Sequence, residues 1–290
     1  MKIILILFII TIIVFLLCIY NKKQNEPFIN ELMPQFMGGL GNNLFQLASS
    51  YGLAHTYNKE FKINKDKIAA TIHADNTKYF NSIFKNFNKY FTENNPINTL
   101  NEEWNDKKFN YSTQLTSTND DILVKGYFQD YTLFHHIKDE FISLLHFDKS
   151  ITEKYPLLNE SAFIHIRGGD YKNNKLYAVP LENYYNKAIT KLQSHNIPHY
   201  YIFTNDINYA KQFDWINTIN HTFIDENEED SLYLMSQCKY GGIGVNSSFS
   251  WWGLYLNTNR PYLILPSKWF NESNQYIDGL YFPNSIKIDV

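Results

Sequence analysis

From Ser161 onward, short apolar runs alternate with amphipathic stretches, and this alternation restricts the possible folds more than any other feature of the chain. Ala162–Ile166, His199–Phe203, His221–Ile224, Gly242–Val245 and Pro261–Leu265 read as buried strands. The segments between them read as helices. Pro180 stands at a favoured first helical position, followed by Tyr184, Tyr185, Ala188, Ile189 and Leu192 on one face. Further helices are expected from about Ser231 to Cys238 and from Asn246-Ser247-Ser248 through Leu256. Strands separated by helices build a parallel, doubly wound sheet, because each connection must cross back over a face. Ligands of such sheets bind beyond the carboxyl ends of the strands.

The amino-terminal half is less sharply patterned. Pro34–Met37 reads as a first strand, and Gly38-Gly39-Leu40-Gly41 as a break before a helix over Asn42–Asn58. Leu44, Leu47, Ala48, Tyr51 and Ala54 give that helix its apolar face, with Asn42 or Asn43 as cap. Residues 60–120 are rich in Asn, Lys and Thr and carry weak signals. Asp121–Phe128 reads as a strand and Thr132–Leu145 as a helix.

Ile3–Tyr20 contains no charge. As a helix it covers most of the roughly 30 Å hydrocarbon layer, and being apolar on every face it reads as a membrane anchor in preference to a buried core helix. A cleaved signal peptide is the competing reading, but Tyr20-Asn21-Lys22-Lys23 is a poor cleavage site. The expected organisation is an anchor at 1–20 and a linker at 21–33. Lysines on both sides leave its orientation open.

With 26 Lys and Arg against 29 Asp and Glu, the chain is not built to bind nucleic acid. Cys18 and Cys238 are the only cysteines, which excludes a disulfide framework and a four-cysteine zinc site.

Three polar signals follow expected strands. The turn Gly38-Gly39-Leu40-Gly41-Asn42 permits close backbone approach and feeds a helix N-terminus that favours an anion. An ordinary tight turn explains the glycines equally well. Asn246-Ser247-Ser248 could hold a phosphate through hydroxyl and N–H groups, or could simply cap a helix. In His165-Ile166-Arg167-Gly168-Gly169-Asp170, the arginine leaves a buried strand and needs an anionic partner. Asp170 could be that partner or a base beside it. His165 should point to the face opposite Ile164 and Ile166, where a lone histidine is more often core than catalyst. Trp251 and Trp252 are expected in the core. Asp225-Glu226-Asn227-Glu228-Glu229-Asp230 is expected as a solvated loop and helix start. The chain has neither a G-x-x-x-x-G-K-[ST] phosphate loop nor a G-x-S-x-G elbow, and no D-x-D pair.

Taken together, Gly38-Gly39-Leu40-Gly41-Asn42-Asn43-Leu44-Phe45-Gln46, His165-Ile166-Arg167-Gly168-Gly169-Asp170-Tyr171 and Asn246-Ser247-Ser248-Phe249-Ser250-Trp251-Trp252 resemble the alpha-1,2-fucosyltransferases of glycosyltransferase family eleven. Phe203-Thr204-Asn205-Asp206 and Ser231–Cys238 match further blocks in the same order. The resemblance implies an α/β, GT-B-like fold of two Rossmann-like domains with mostly parallel sheets, behind the N-terminal transmembrane helix. The expected divisions are an acceptor-side domain at 34–155 and a nucleotide-sugar domain at 156–290. It also implies inverting transfer of L-fucose from GDP-fucose to a galactose-containing glycan, without a metal or other cofactor. The setting it implies is a single-pass membrane protein with a lumenal, Golgi- or ER-like catalytic domain.

The diphosphate role of the family block's first arginine falls to Arg167. Asn246, Ser247 and Ser248 would flank the phosphates, with Gly41 and Asn42 closing over them. The donor-binding candidates are Gly39, Gly41, Asn42, His165, Arg167, Asp206, Asn246, Ser247 and Ser248. Arg167 and Asp170 are the catalytic candidates, with Asp206 an alternative base. Two positions depart from the family pattern: Gly168 replaces a second arginine, and Asn43 replaces a glutamine. A same-fold transferase for another sugar nucleotide and an anchored glycan-binding protein without catalysis are the rival readings.

Overall fold

The structure is a computed structural model that describes residues 30–68, 70–71, 74–102, 111–116, 120–171, 174–271 and 275–290. The expected anchor and most of the linker lie outside the described residues. Among the described residues no helix is long and apolar enough to cross a membrane.

Two parallel sheets organise the chain. The first contains β1 (Glu31–Pro34), β2 (Glu60–Phe61), β3 (Asn98–Asn101) and β4 (Ile122–Lys125), in the order β2-β1-β4-β3. Leu32 pairs with both Phe61 and Ile122, and Leu100 with Val124. The second contains β5 (Ser161–Ile166), β6 (His199–Thr204), β7 (His221–Ile224), β8 (Gly241–Ile243), β9 (Tyr262–Pro266) and β10 (Ser285–Ile288). Its order is β7-β6-β5-β8-β9-β10. The chain therefore winds outward from β5 in one direction, then returns to start again at β8 on the other side. That is the doubly wound topology expected from the alternation, with its switch point between β5 and β8.

Alternation along β5 separates two layers. Ala162, Ile164 and Ile166 join the core beneath α2 (Glu182–Gln193), where Tyr184, Tyr185, Ala188, Ile189 and Leu192 are buried as the periodicity requires. Phe163 faces the other way, into a core shared with α3 (Glu228–Gln237) and α4 (Ser248–Tyr255). The same core continues to the first sheet through α1 (Leu40–Thr56). Phe45 of α1 packs 4.4 Å from Trp251, and Phe134 stacks on Trp252 at 5.5 Å. Both tryptophans are fully buried core residues, as expected.

Several boundaries move for identifiable reasons. The first strand begins at Glu31, inside the expected linker, not at Pro34. Helix α1 starts at Leu40 with Gly39 as cap, because the Asn43 amide already lies inside the first turn and donates to the carbonyls of Gly38 and Gly39. Neither Asn42 nor Asn43 caps it. The helix expected over Thr132–Leu145 divides into short turns followed by Lys138–Leu144, where the backbone of Leu133 and Phe134 presses onto Gly52 of α1. Pro180 precedes α2 and is not its first residue, since Leu181 is the cap. Strand β10 was not anticipated. It is a partly exposed edge, so its short alternation Ser285-Ile286-Lys287-Ile288 has no buried apolar run to advertise it.

The acidic run is also more than a solvated loop. Asn227 caps α3, and Glu228, Glu229 and Asp230 form its first turn, where negative charge suits the helix dipole. Glu228 accepts from Lys78 at 2.6 Å and Tyr79 at 2.8 Å, and Glu229 from Ser82 at 2.6 Å.

Candidate active site

Strands β5 and β8 are neighbours, with Ile243 in register with Ile164, so the segments leaving them emerge side by side. One carries Arg167, the other Asn246. Both line a cleft of about 220 Å³ together with Tyr171, Tyr177, Val179 and Tyr209. That space suits part of a ligand, since whole small-molecule sites usually span about 300–1,000 Å³.

Arg167 is half-buried, with its guanidinium carbon 5.0 Å from the centre of the Tyr171 ring. Tyr171 in turn stacks on Tyr177 at 5.0 Å. Stacking fixes the plane of the guanidinium, a fork whose geometry matches oxyanions. Two residues before Arg167, and on the same face of β5 as Phe163, His165 is buried beside Phe249. Burial, with the Arg167 charge adding to it, pulls its imidazole down to about 3, so the ring is neutral at any working pH. Its Nδ1 is buried with no hydrogen-bond partner among the described residues. A satisfied core histidine, the bland expectation, would not leave this atom unmatched.

Asn246 is buried and spends its side-chain N–H groups on the carbonyls of Tyr177 and Trp269, each at 3.0 Å. Carbonyls can only accept, so this fixes the amide orientation and leaves Oδ1, unpartnered, as an acceptor. Such an atom suits a hydroxyl or amine, not the phosphate oxygen assigned to it from sequence.

The expected phosphate cradle has a different anatomy. Helix α4 starts at Ser248 with Ser247 at the cap position, and the Ser247 side chain makes no cap bond. Ser250 Oγ accepts from Val245 N. Helix α1 is likewise uncapped at Gly39. The two N-termini meet: a Cβ on Gly41 would lie 2.5 Å from Phe249 N and 2.8 Å from Ser248 Oγ. Glycine at 41 therefore serves helix-to-helix contact, and that face of Gly41 is closed to a ligand. Gly39 has open space where a side chain would stand. Asn42 accepts from Gln129 Nε2 at 3.0 Å. Converging N-termini are a favourable setting for an anion, with dipoles and free N–H groups directed the same way.

Asp206 caps the turn Ile207–Ala210, accepting from Tyr209 N at 2.9 Å. It also explains Gly168. A Cβ there would come within 2.8 Å of Asp206 Cβ and 2.9 Å of Tyr209 Cδ1. Asn205 Oδ1 accepts from Gly168 N at 2.9 Å and ties the loop down. The place of the family's second arginine is thus filled. Restoring it as Gly168→Arg should lower stability by about 1–3 kcal/mol through overpacking and should not raise activity. A thermal melt and a turnover assay on this variant check the point; a more active, equally stable protein would refute it. Asp170 lies in the turn Gly169–Tyr171, and its side chain falls outside what the structure describes.

A larger cleft, about 760 Å³, lies among Lys78, Lys85, His146, Asp148, Glu228 and Asp230 and shares no lining residue with the first. Lys78 and Glu228 pair with each other there. The smaller cleft is the stronger candidate because it occupies the topological switch point and holds the unmatched polar atom of Asn246. Among the described residues no three His, Cys, Asp or Glu side chains gather as metal ligands.

Tyr171, Tyr177 and Tyr209 were missed as site residues. Tyr171 adjoins the arginine block in sequence and was within reach of inspection. Nothing in sequence connects Tyr177 or Tyr209 to Arg167.

Comparison with known proteins adds to this geometry. The family model for glycosyl transferase family 11 matches residues 12–286. An alpha-1,2-colitosyltransferase of Escherichia coli is 28% identical over 82% of this chain and 92% of its own length. The O-antigen biosynthesis glycosyltransferase WbnK of Escherichia coli is 27% identical over 82% and 94%. Among solved structures, the fucosyltransferase NodZ from Bradyrhizobium shares the fold at a TM-score of 0.51 and 12% identity, over 79% of this chain and 93% of that one.

Proposed function

The chain belongs to glycosyl transferase family 11 and is a glycosyltransferase, and on that premise we propose that it moves L-fucose from GDP-fucose to a galactose O2 of a glycan, with inversion and without a metal ion. The observation that carries this reading is the shared cleft of Arg167 and Asn246 at the β5–β8 switch point.

The acceptor oxygen forms its bond to the anomeric carbon as the bond from that carbon to the GDP oxygen breaks. Positive character develops on the sugar and negative charge on the departing diphosphate. Arg167 and the uncapped N–H groups at the start of α4 meet that negative charge without reorganising, the task a divalent cation performs elsewhere. Asn246 Oδ1 accepts from a hydroxyl or amine of the donor. The acceptor proton passes to Asp170, because Asp206 is committed as a cap. The Ile3–Tyr20 segment would tether the enzyme to a membrane, and fractionation of the full chain against a variant lacking it tests that part.

Incubating the protein with GDP-fucose and lactose should yield fucosyl-lactose and GDP at a rate unchanged by a chelator. Turnover that collapses on chelation and returns with a divalent cation would overturn the metal-free reading. The similarity to a colitosyltransferase favours one alternative donor, a colitosyl nucleotide. A screen of GDP-fucose, GDP-mannose, UDP-sugars and a colitosyl donor ranks them by kcat/KM.

A further inference from the structure

Neighbouring strands β3 and β4 bring Glu102 and Gly126 to the same edge of the first sheet, with Asn101 in register with Lys125. The Glu102 carboxylate then accepts from Tyr127 N at 2.6 Å and Phe128 N at 2.7 Å, and the next amide, of Gln129, also bears on it. Successive N–H groups converging on one anion form a nest. Here the anion belongs to the chain itself, and no cation is paired with it among the described residues. The loop it shapes is not a relaxed one. Gly126 has φ +151°, with a Cβ there blocked by the Glu102 side chain, and Phe128 has φ +48°, a left-handed value that costs a non-glycine residue about 1–2 kcal/mol. A conformation of this kind persists where its surroundings over-determine it, and it is concentrated at functional sites.

The loop reaches both the α1 N-terminus and Tyr177 of the cleft. Gln129 Nε2 donates to Asn42 Oδ1 beside the α1 N-terminus. Tyr127 lies near enough to Tyr177, which lines the cleft, to help hold its phenol above the usual range, after the larger effect of burial. If the nucleotide rests on the second sheet, as the proposed function has it, then the acceptor must approach from the first-sheet side, where this loop stands. We infer that Tyr127 and Gln129 contact the acceptor sugar, and that Glu102 is the positioning residue that sets acceptor recognition by holding the Gly126–Asp130 loop. A phenol and an amide at a fixed spacing match the hydroxyls of a pyranose, and the chemical class of ligand is a neutral, hydroxyl-rich sugar.

The inference rests on the transferase reading, and the test separates the two. Wild type, Glu102→Gln, Tyr127→Ala and Gln129→Ala are assayed with GDP-fucose against lactose, N-acetyllactosamine and methyl β-galactoside, with GDP affinity measured by calorimetry. Each variant should raise acceptor KM by about tenfold, the equivalent of one lost hydrogen bond, and change the ranking of the three acceptors. The GDP dissociation constant should stay within about twofold, a split that a general loss of structure would not produce. If Glu102→Gln does not fold, by its melting curve, the two loop variants still decide the matter. Unchanged acceptor KM and ranking would overturn the assignment, as would GDP affinity falling in parallel. Wild-type protein that binds no GDP and modifies none of the acceptors would remove the transferase reading, and this inference with it.

Discussion

Replacing Arg167 with alanine is expected to lower kcat/KM for GDP-fucose by about two orders of magnitude or more, the usual consequence of removing one preorganised donor from developing negative charge. The guanidinium is half-buried and rests on Tyr171, so the loss should fall on catalysis and leave the melting temperature nearly unchanged. Arg167→Lys distinguishes charge from geometry. Lysine keeps the charge but loses the planar fork and its stacking, and should recover only part of the rate. His165 is neutral and cannot substitute for the missing cation. Near-normal turnover in Arg167→Ala would dissociate this residue from the reaction.

The largest effect on stability is expected at Arg260. The residue is 6% exposed and has no carboxylate to neutralise it among the described residues; instead it donates to Met235, Cys238, Gly253, Leu254 and Asn257 carbonyls, with the shortest bonds at 2.6 and 2.7 Å. These oxygens belong to the C-terminal ends of α3 and α4, where helix dipoles concentrate negative potential. Burial draws the guanidinium down to about 10, still cationic at neutral pH. Arg260→Met fills the volume but orphans several buried carbonyls, at a cost of about 3–5 kcal/mol. For a chain of this size the melting temperature should fall by on the order of 10 °C. A melt within a degree or two of wild type would show that water or repacking replaces the cation. Because Arg260 holds the far end of α4, and Asn246 of the cleft lies two residues before the start of that helix, the variant should also weaken GDP binding.

Legibility differed between features for physical reasons. Strands β5 and β6 were readable because burial on both faces demands continuous apolar runs, whereas β7 is a partly exposed edge strand with only Ile224 buried. The α2 face was readable because its sheet contact imposes a helical period. Cap positions were not, since Gly39 and Leu181 cap without any side-chain bond and carry no compositional signal. The Arg167 block was readable because an arginine leaving a buried strand requires an explanation. Its supports were hidden: Tyr177 and Tyr209 reach it only through the fold. Glu102 and Arg260 were invisible for a stronger reason. Each is balanced by backbone amides or carbonyls, and backbone groups are the same at every position.

The order of apolar and polar residues determined the alternation of strands and helices, the parallel sheets and the location of polar loops at strand ends, because those follow from local periodicity and the need to bury it. Which loops face one another was decided by tertiary structure alone. The meeting of α1 and α4 at Gly41, the filling of the Gly168 site by Asp206, and the self-supplied anion of the Tyr127–Gln129 nest all depend on distances between segments far apart in the chain, and no local pattern encodes a distance.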